Sequence, residues 1–193
     1  DYTVSYSKNT AIGQASVKIT GKGLYKGTKT VNFNIRPATV TKLKVSSTGE
    51  KSVKLSWKKI TGADSYAIYR YDNTSKKWHR IKTVKAVSFT DSGLARAKGY
   101  SYKVKAVKKS GGKEYISASY SKAVEAVTKP AKASCTAKSS GSGSIEVSWK
   151  AVGGASGYEI YSSSNGSDYV KSAKVGGSQK SAIVSGFEPY SLR

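Results

Sequence analysis

Residues 53–70 read VKLSWKKITGADSYAIYR, and residues 145–162 repeat the pattern as IEVSWKAVGGASGYEIYS. Trp149 falls 92 positions after Trp57, and the same offset matches Gly62 with Gly154, Tyr66 with Tyr158, Ile68 with Ile160 and Tyr69 with Tyr161. Arg36-Pro37-Ala38 and Lys129-Pro130-Ala131 precede the two copies. A repeat of about 90–100 residues with a proline at each joint describes tandem β-sandwich domains, each burying its own core.

The local pattern agrees. Tyr2-Thr3-Val4-Ser5-Tyr6, Ala15-Ser16-Val17-Lys18-Ile19, Val31-Asn32-Phe33-Asn34-Ile35, Val53-Lys54-Leu55-Ser56-Trp57 and Ile145-Glu146-Val147-Ser148-Trp149 all alternate with period two. That period puts one side chain in two on a buried face. No stretch shows the 3.6-residue period of an amphipathic helix, and 14 tyrosines among many valines and threonines suit a pleated surface. The expected class is all-β.

One stretch could suggest other chemistry. GKGLYKGTKT at 21–30 is rich in glycine and lysine, as phosphate-binding loops are. Such loops open a helix, with Lys and Ser or Thr directly after the last glycine. Here Thr28-Lys29-Thr30 runs straight into the alternating Val31, so the stretch is expected to be a hairpin connection with Tyr25 packed over the sheet.

Charge is lopsided, with 34 Lys and Arg against 11 Asp and Glu, a formal +23. Only Arg36, Arg70, Arg80, Arg96 and Arg193 are arginine. Lysine is a flexible point charge, whereas bidentate readers of bases and phosphates are usually arginine, so specific nucleic-acid recognition is not expected. Many lysines alternate with apolar residues, as in Tyr102-Lys103-Val104-Lys105-Ala106, which places them on a solvated face that attracts anionic polymers. The single Cys135 has no partner for an intrachain disulfide or a thiolate metal site. No membrane span and no cofactor are expected.

Leu55-Ser56-Trp57, Tyr66-Ala67-Ile68-Tyr69-Arg70, Phe89-Thr90-Asp91-Ser92-Gly93-Leu94 and Tyr100-Ser101-Tyr102-Lys103-Val104 follow one another in an order that resembles a fibronectin type III domain. The resemblance implies a structural core of Trp57, Tyr66, Ile68, Leu94 and Tyr100, with Trp149, Tyr158 and Ile160 in the second copy. It also implies that the Tyr100 hydroxyl bonds back to the loop after Leu94, while Asp91 is expected to bond backbone amides. Residues 1–37, with a Tyr-x-Val-x-Tyr strand and a closing Phe-x-Ile strand, are similar to the C-terminal part of a bacterial Ig-like repeat. Together with the lysine-rich character and Tyr120-Ser121-Lys122, this resembles multidomain surface proteins of anaerobic Gram-positive bacteria. The expected organisation is a partial Ig-like repeat over 1–37, a complete fibronectin type III domain over 38–129, and a third domain over 130–193 without its last two strands. The last domain is then part of a longer chain or is completed by a partner, including strand exchange with another copy.

No catalytic constellation is evident. His79 is the only histidine, and Asp64, Asp72, Asp91, Glu114 and Glu125 stand singly, so the chain is read as non-enzymatic. The best candidate for ligand binding is the patch Tyr69, Arg70, Tyr71, Lys76, Lys77, Trp78 and Arg80, where aromatic residues alternate with cations. The expected role is an extracellular spacer or adhesion module, secreted or at a cell surface. The alternative is an accessory module of a secreted cell-wall or polysaccharide-degrading enzyme, binding wall or host glycans or other anionic polymers.

Overall fold

The computed structural model describes residues 1–187, which form sixteen strands and, among these residues, no helix. The strands are β1 (Tyr2–Ser7), β2 (Gly13–Gly21), β3 (Thr28–Ile35), β4 (Lys44–Thr48), β5 (Ser52–Ser56), β6 (Ser65–Asp72), β7 (Lys77–Val84), β8 (Ser88–Ser92), β9 (Gly99–Ser110) and β10 (Lys113–Ile116). They continue with β11 (Val124–Val127), β12 (Cys135–Gly141), β13 (Ser144–Trp149), β14 (Gly157–Ser162), β15 (Val170–Gly176) and β16 (Ser181–Ser185). Two compact units emerge. One joins Asp1–Thr48, Ser52–Ser92 and Gly99–Val127; the other joins Gly49–Lys51, Gly93–Lys98 and the chain from Thr128 onward.

The first unit begins with the antiparallel sheet β1-β2-β3. Its register pairs Val4 with Ile19 and Val17 with Val31, so Tyr2, Val4, Tyr6, Ile19, Val31 and Phe33 share one face while Thr3, Ser5, Lys18 and Asn32 share the other. The glycine-rich stretch is the β2–β3 connection, closed by the Gly21 amide donating to the Gly27 carbonyl at 3.0 Å. Gly23 and Gly27 take φ of 66° and 112°, which L side chains disfavour. Tyr25 does not pack over the sheet as expected: it is 69% exposed and sits in the connection between β2 and β3, outside both strands.

The rest of this unit is a sandwich of β4-β5-β8 against β10-β9-β6-β7, with β11 also paired to β9. This is a fibronectin type III-like arrangement. Val53, Leu55, Tyr66, Ile68, Tyr102, Val104 and Ala106 meet in its buried core, where Trp57 meets Tyr66 edge-on at 5.4 Å. The Ile60 amide donates to the Tyr66 hydroxyl at 2.8 Å. Tyr100, near the start of β9, is half-buried, with the Arg70 guanidinium 5.8 Å from its ring centroid. The tyrosine that β9 buries completely is Tyr102, whose hydroxyl donates to Asp91 at 2.9 Å. Asp91 therefore takes side-chain donors, Tyr102 and Arg70 Nη1 at 2.7 Å, rather than the backbone amides expected of it.

The second unit repeats the local design. Its core of Trp149, Ile160 and Val184 is flanked by Val147, half-buried Tyr158 and Phe187. The Val152 amide donates to the Tyr158 hydroxyl at 2.8 Å, the bond that Ile60 makes to Tyr66. Gly62 and Gly154 close the preceding turns with φ of 78° and 81°. Leu94 is buried, and its amide donates to the Lys51 carbonyl at 3.0 Å. The strands form β12-β13-β16 and the pair β14-β15. β6 pairs on both edges, whereas its counterpart β14 pairs only with β15 among the described residues. An apolar cleft of about 350 Å³ lies here, lined by Ile145, Val147, Trp149, Tyr158, Ile160 and Val184 among others. In Gly186-Phe187-Glu188-Pro189, expected from the sequence to match the loop that precedes Tyr100 in the first copy, Glu188 and Pro189 lie outside the described residues.

Candidate functional site: an aromatic and lysine face

Alternation along β6 sends Tyr66 and Ile68 to the core and Tyr69 and Tyr71 to the outward face. The neighbouring strands supply their partners. Tyr69 lies opposite Lys103 and Ala67 opposite Lys105 on β9; Tyr71 lies opposite Trp78 on β7. A bulge between Ile68 and Tyr69 shifts the β7 register and sets Arg80 opposite Tyr69.

Tyr120 completes the cluster from the connection between β10 and β11. That connection is stitched to β9: Ser121 exchanges two bonds of 3.0 Å with Val104, and the Ser117 amide donates to the Ala106 carbonyl at 2.9 Å. Ring geometry follows. Tyr69 meets Tyr120 edge-on at 5.0 Å, Tyr71 meets Trp78 at 5.2 Å, and Trp78 lies 6.5 Å from Tyr120. Cations cap these rings. Lys103 Nζ is 4.4 Å from the Trp78 centroid and 5.4 Å from that of Tyr120, and Lys105 Nζ is 4.2 Å from the Tyr120 centroid.

Two kinds of cation occupy the face. Arg80 is neutralised by Glu114 at 3.0 Å, a hydrogen bond that holds the guanidinium pKa above and the carboxyl pKa below their ordinary values. Lys103 and Lys105 have no carboxylate within ion-pair distance among the described residues. Burial, and then the charge of Arg36, pull the Lys105 ammonium below the ordinary lysine range. Burial first, and then Tyr120, push the Tyr69 hydroxyl up.

Of the sequence-derived patch, Tyr69, Tyr71, Trp78 and Arg80 come together here. Arg70 does not: it has the opposite parity on β6 and spends its charge on Asp91, which outweighs the burial acting against it. Lys76 sits in the β6–β7 turn at φ 54°, and Lys77 lies opposite Asp72 at the hairpin end, one position before Trp78 and so of the opposite parity on β7. The sequence-derived patch omits Lys103, Lys105 and Tyr120, although the alternation Tyr102-Lys103-Val104-Lys105-Ala106 already places both lysines on one solvated face. Tyr120 carries no comparable signal, since its place depends on bonds made by Ser117 and Ser121.

The only histidine makes a constellation that imitates a catalytic one. Ser75 Oγ lies 2.9 Å from His79 Nε2 and donates to Asp72 Oδ2 at 2.7 Å. In a working triad the carboxylate orients the imidazole and the imidazole takes the serine proton. Here the carboxylate takes the serine hydrogen and also accepts the Thr74 amide at 2.9 Å, the geometry of a turn-stabilising aspartate on an exposed hairpin. Among the described residues no group of three or more His, Cys, Asp or Glu could hold a metal ion. Among the described residues no helix is long and apolar enough to cross a membrane.

No protein-family profile matches the chain. A segment of 97 residues, 50% of the chain, is 42% identical to the poly(3-hydroxybutyrate) depolymerase of Ralstonia pickettii and covers 18% of that protein's length. Similar solved structures include the fibronectin type III domain of human fibronectin type III domain containing protein 3, at 21% identity and a TM-score of 0.44 over 51% of this chain and 92% of that one. The FN1–FN3 domains of chicken CNTN1 match at 16% identity and a TM-score of 0.41 over 91% of this chain and 68% of that one.

Proposed function

We propose that the chain is an extracellular, non-catalytic module of a larger bacterial protein, spacing that protein's other domains and holding them against a polymer surface. The observation that carries this reading is the outward face of β6, β7 and β9, where sheet register fixes Tyr69, Tyr71, Trp78 and two uncompensated lysines, and a serine-stitched connection fixes Tyr120. Such a face presents its area at little ordering cost, since strands and stitched loops already hold the side chains. The likeness to part of a depolymerase supports a setting in polymer breakdown, with the chemistry performed elsewhere in the parent protein.

Sedimentation with particulate polymers, namely bacterial cell-wall sacculi and poly(3-hydroxybutyrate) granules, tests the proposal. The expected result is retention of the chain on at least one of them without release of soluble product, and loss of retention in a Trp78→Ala/Tyr120→Ala variant of unchanged thermal midpoint. Product release by the purified chain, or retention indifferent to the double substitution, would overturn it.

A further inference from the structure

The rings of the aromatic face are not bare. Lys103 and Lys105 already stand over Trp78 and Tyr120, so an uncharged sugar or ester surface stacking on those ring faces would first have to displace two ammonium groups. An anionic chain would instead add to them. Three cations of the sandwich are matched with carboxylates: Arg70 with Asp91, Arg80 with Glu114 and Lys108 with Asp64. Lys103 and Lys105 have only rings and, for Lys105, the Ala118 carbonyl at 3.0 Å.

Arg36 extends the row. Its Nη1 donates to the Ile116 carbonyl at 3.2 Å, which fixes the guanidinium beside β10, close enough to Lys105 to lower that ammonium's pKa. Residues two apart on a strand lie about 6.5–7 Å apart, so Lys103 and Lys105 offer two positive points along the strand, with Arg36 beyond. Mutually repelling cations held without carboxylates lower their energy by taking anions.

We infer that the ligand of this face is an acidic polysaccharide, whose carboxylates are taken by Lys103, Lys105 and Arg36 while its sugar rings lie along the edges of Trp78 and Tyr120. This rests on the reading of the face as polymer-binding. Single-stranded nucleic acid fits less well, because its bases need open aromatic faces for stacking and those faces are capped.

Calorimetric titration of the chain with polygalacturonate at roughly 0.1 M salt, where exposed charges are partly screened, tests the inference. A Lys103→Gln/Lys105→Gln variant is expected to bind about tenfold more weakly, whereas Lys18→Gln/Lys29→Gln, with the same change in charge on the β1–β3 sheet, stays within about twofold. Equal weakening by both variants would mean diffuse attraction and would overturn the inference, as would oligothymidylate binding as tightly as polygalacturonate with the same dependence on Lys103 and Lys105. If the lysine variant keeps its hold on particulate polymer and polygalacturonate does not bind, the acidic ligand is wrong while the polymer-binding reading stands. If nothing is retained in either assay, both fail.

Discussion

The ammonium of Lys103 rests 4.4 Å from the centre of the Trp78 indole, across two neighbouring strands of β6. Contacts of this kind at exposed sites contribute about 0.5–1 kcal/mol. Lys103→Gln is therefore expected to shift the denaturant midpoint only slightly, with a stability loss below about 1 kcal/mol. A loss of several kcal/mol would make Lys103 part of the folding core and remove the grounds for treating it as a ligand-facing charge.

Tyr102 and Asp91 form a different kind of pair, since the hydroxyl is wholly buried and its 2.9 Å bond ends on a carboxylate shared with Arg70. Tyr102→Phe keeps the ring and removes the bond, for an expected cost of about 1–2 kcal/mol in chemical denaturation. Asp91→Ala is expected to cost more, because it strands both the hydroxyl and the guanidinium. Equal effects would mean that Arg70 finds another partner.

The same hydroxyl gives the protein an alkaline limit. Burial, and then the bond to Asp91, push the Tyr102 pKa far above its usual value. An unfolded tyrosine ionises near pH ~10, so above that value the unfolded chain releases a proton that the folded chain retains. Stability is therefore full below pH ~10 and falls as pH rises beyond it. Thermal midpoints followed into the alkaline range should drop less steeply for Tyr102→Phe than for the natural chain, and parallel curves would contradict this assignment.

The two repeats provide an internal comparison. Trp57 is enclosed by two complete sheets, whereas Trp149 lines the open cleft of its unit. Trp57→Ala should cost on the order of 3–5 kcal/mol, and Trp149→Ala less, because Trp149 borders an apolar cleft rather than close-packed side chains on that side. A melting temperature unchanged by Trp57→Ala would contradict the core described above.

Strands were readable in the sequence because their period is short and their faces differ sharply, and the 92-residue offset located both tryptophans and both loop-anchoring tyrosines. Side-chain parity was harder. Arg70 stands between Tyr69 and Tyr71 in sequence, yet belongs to the opposite face of β6, so proximity along the chain overstated its part in the patch. Tyr100 and Tyr102 share a parity, and only the depth of each along β9 separates the half-buried from the buried ring. Tyr120 could not be placed from sequence, since two serine-mediated bonds to β9 bring it to the face. The Asp72-Ser75-His79 contact was equally hidden, being made by a four-residue turn closing on itself.

The central claim is that one face of one sheet engages the polymer. Amide shifts in a two-dimensional NMR titration with polygalacturonate test it most directly. The expected map is confined to Arg36, Tyr69, Tyr71, Trp78, Arg80, Lys103, Lys105, Tyr120 and their strand neighbours; shifts spread evenly over the lysines of both units would contradict it.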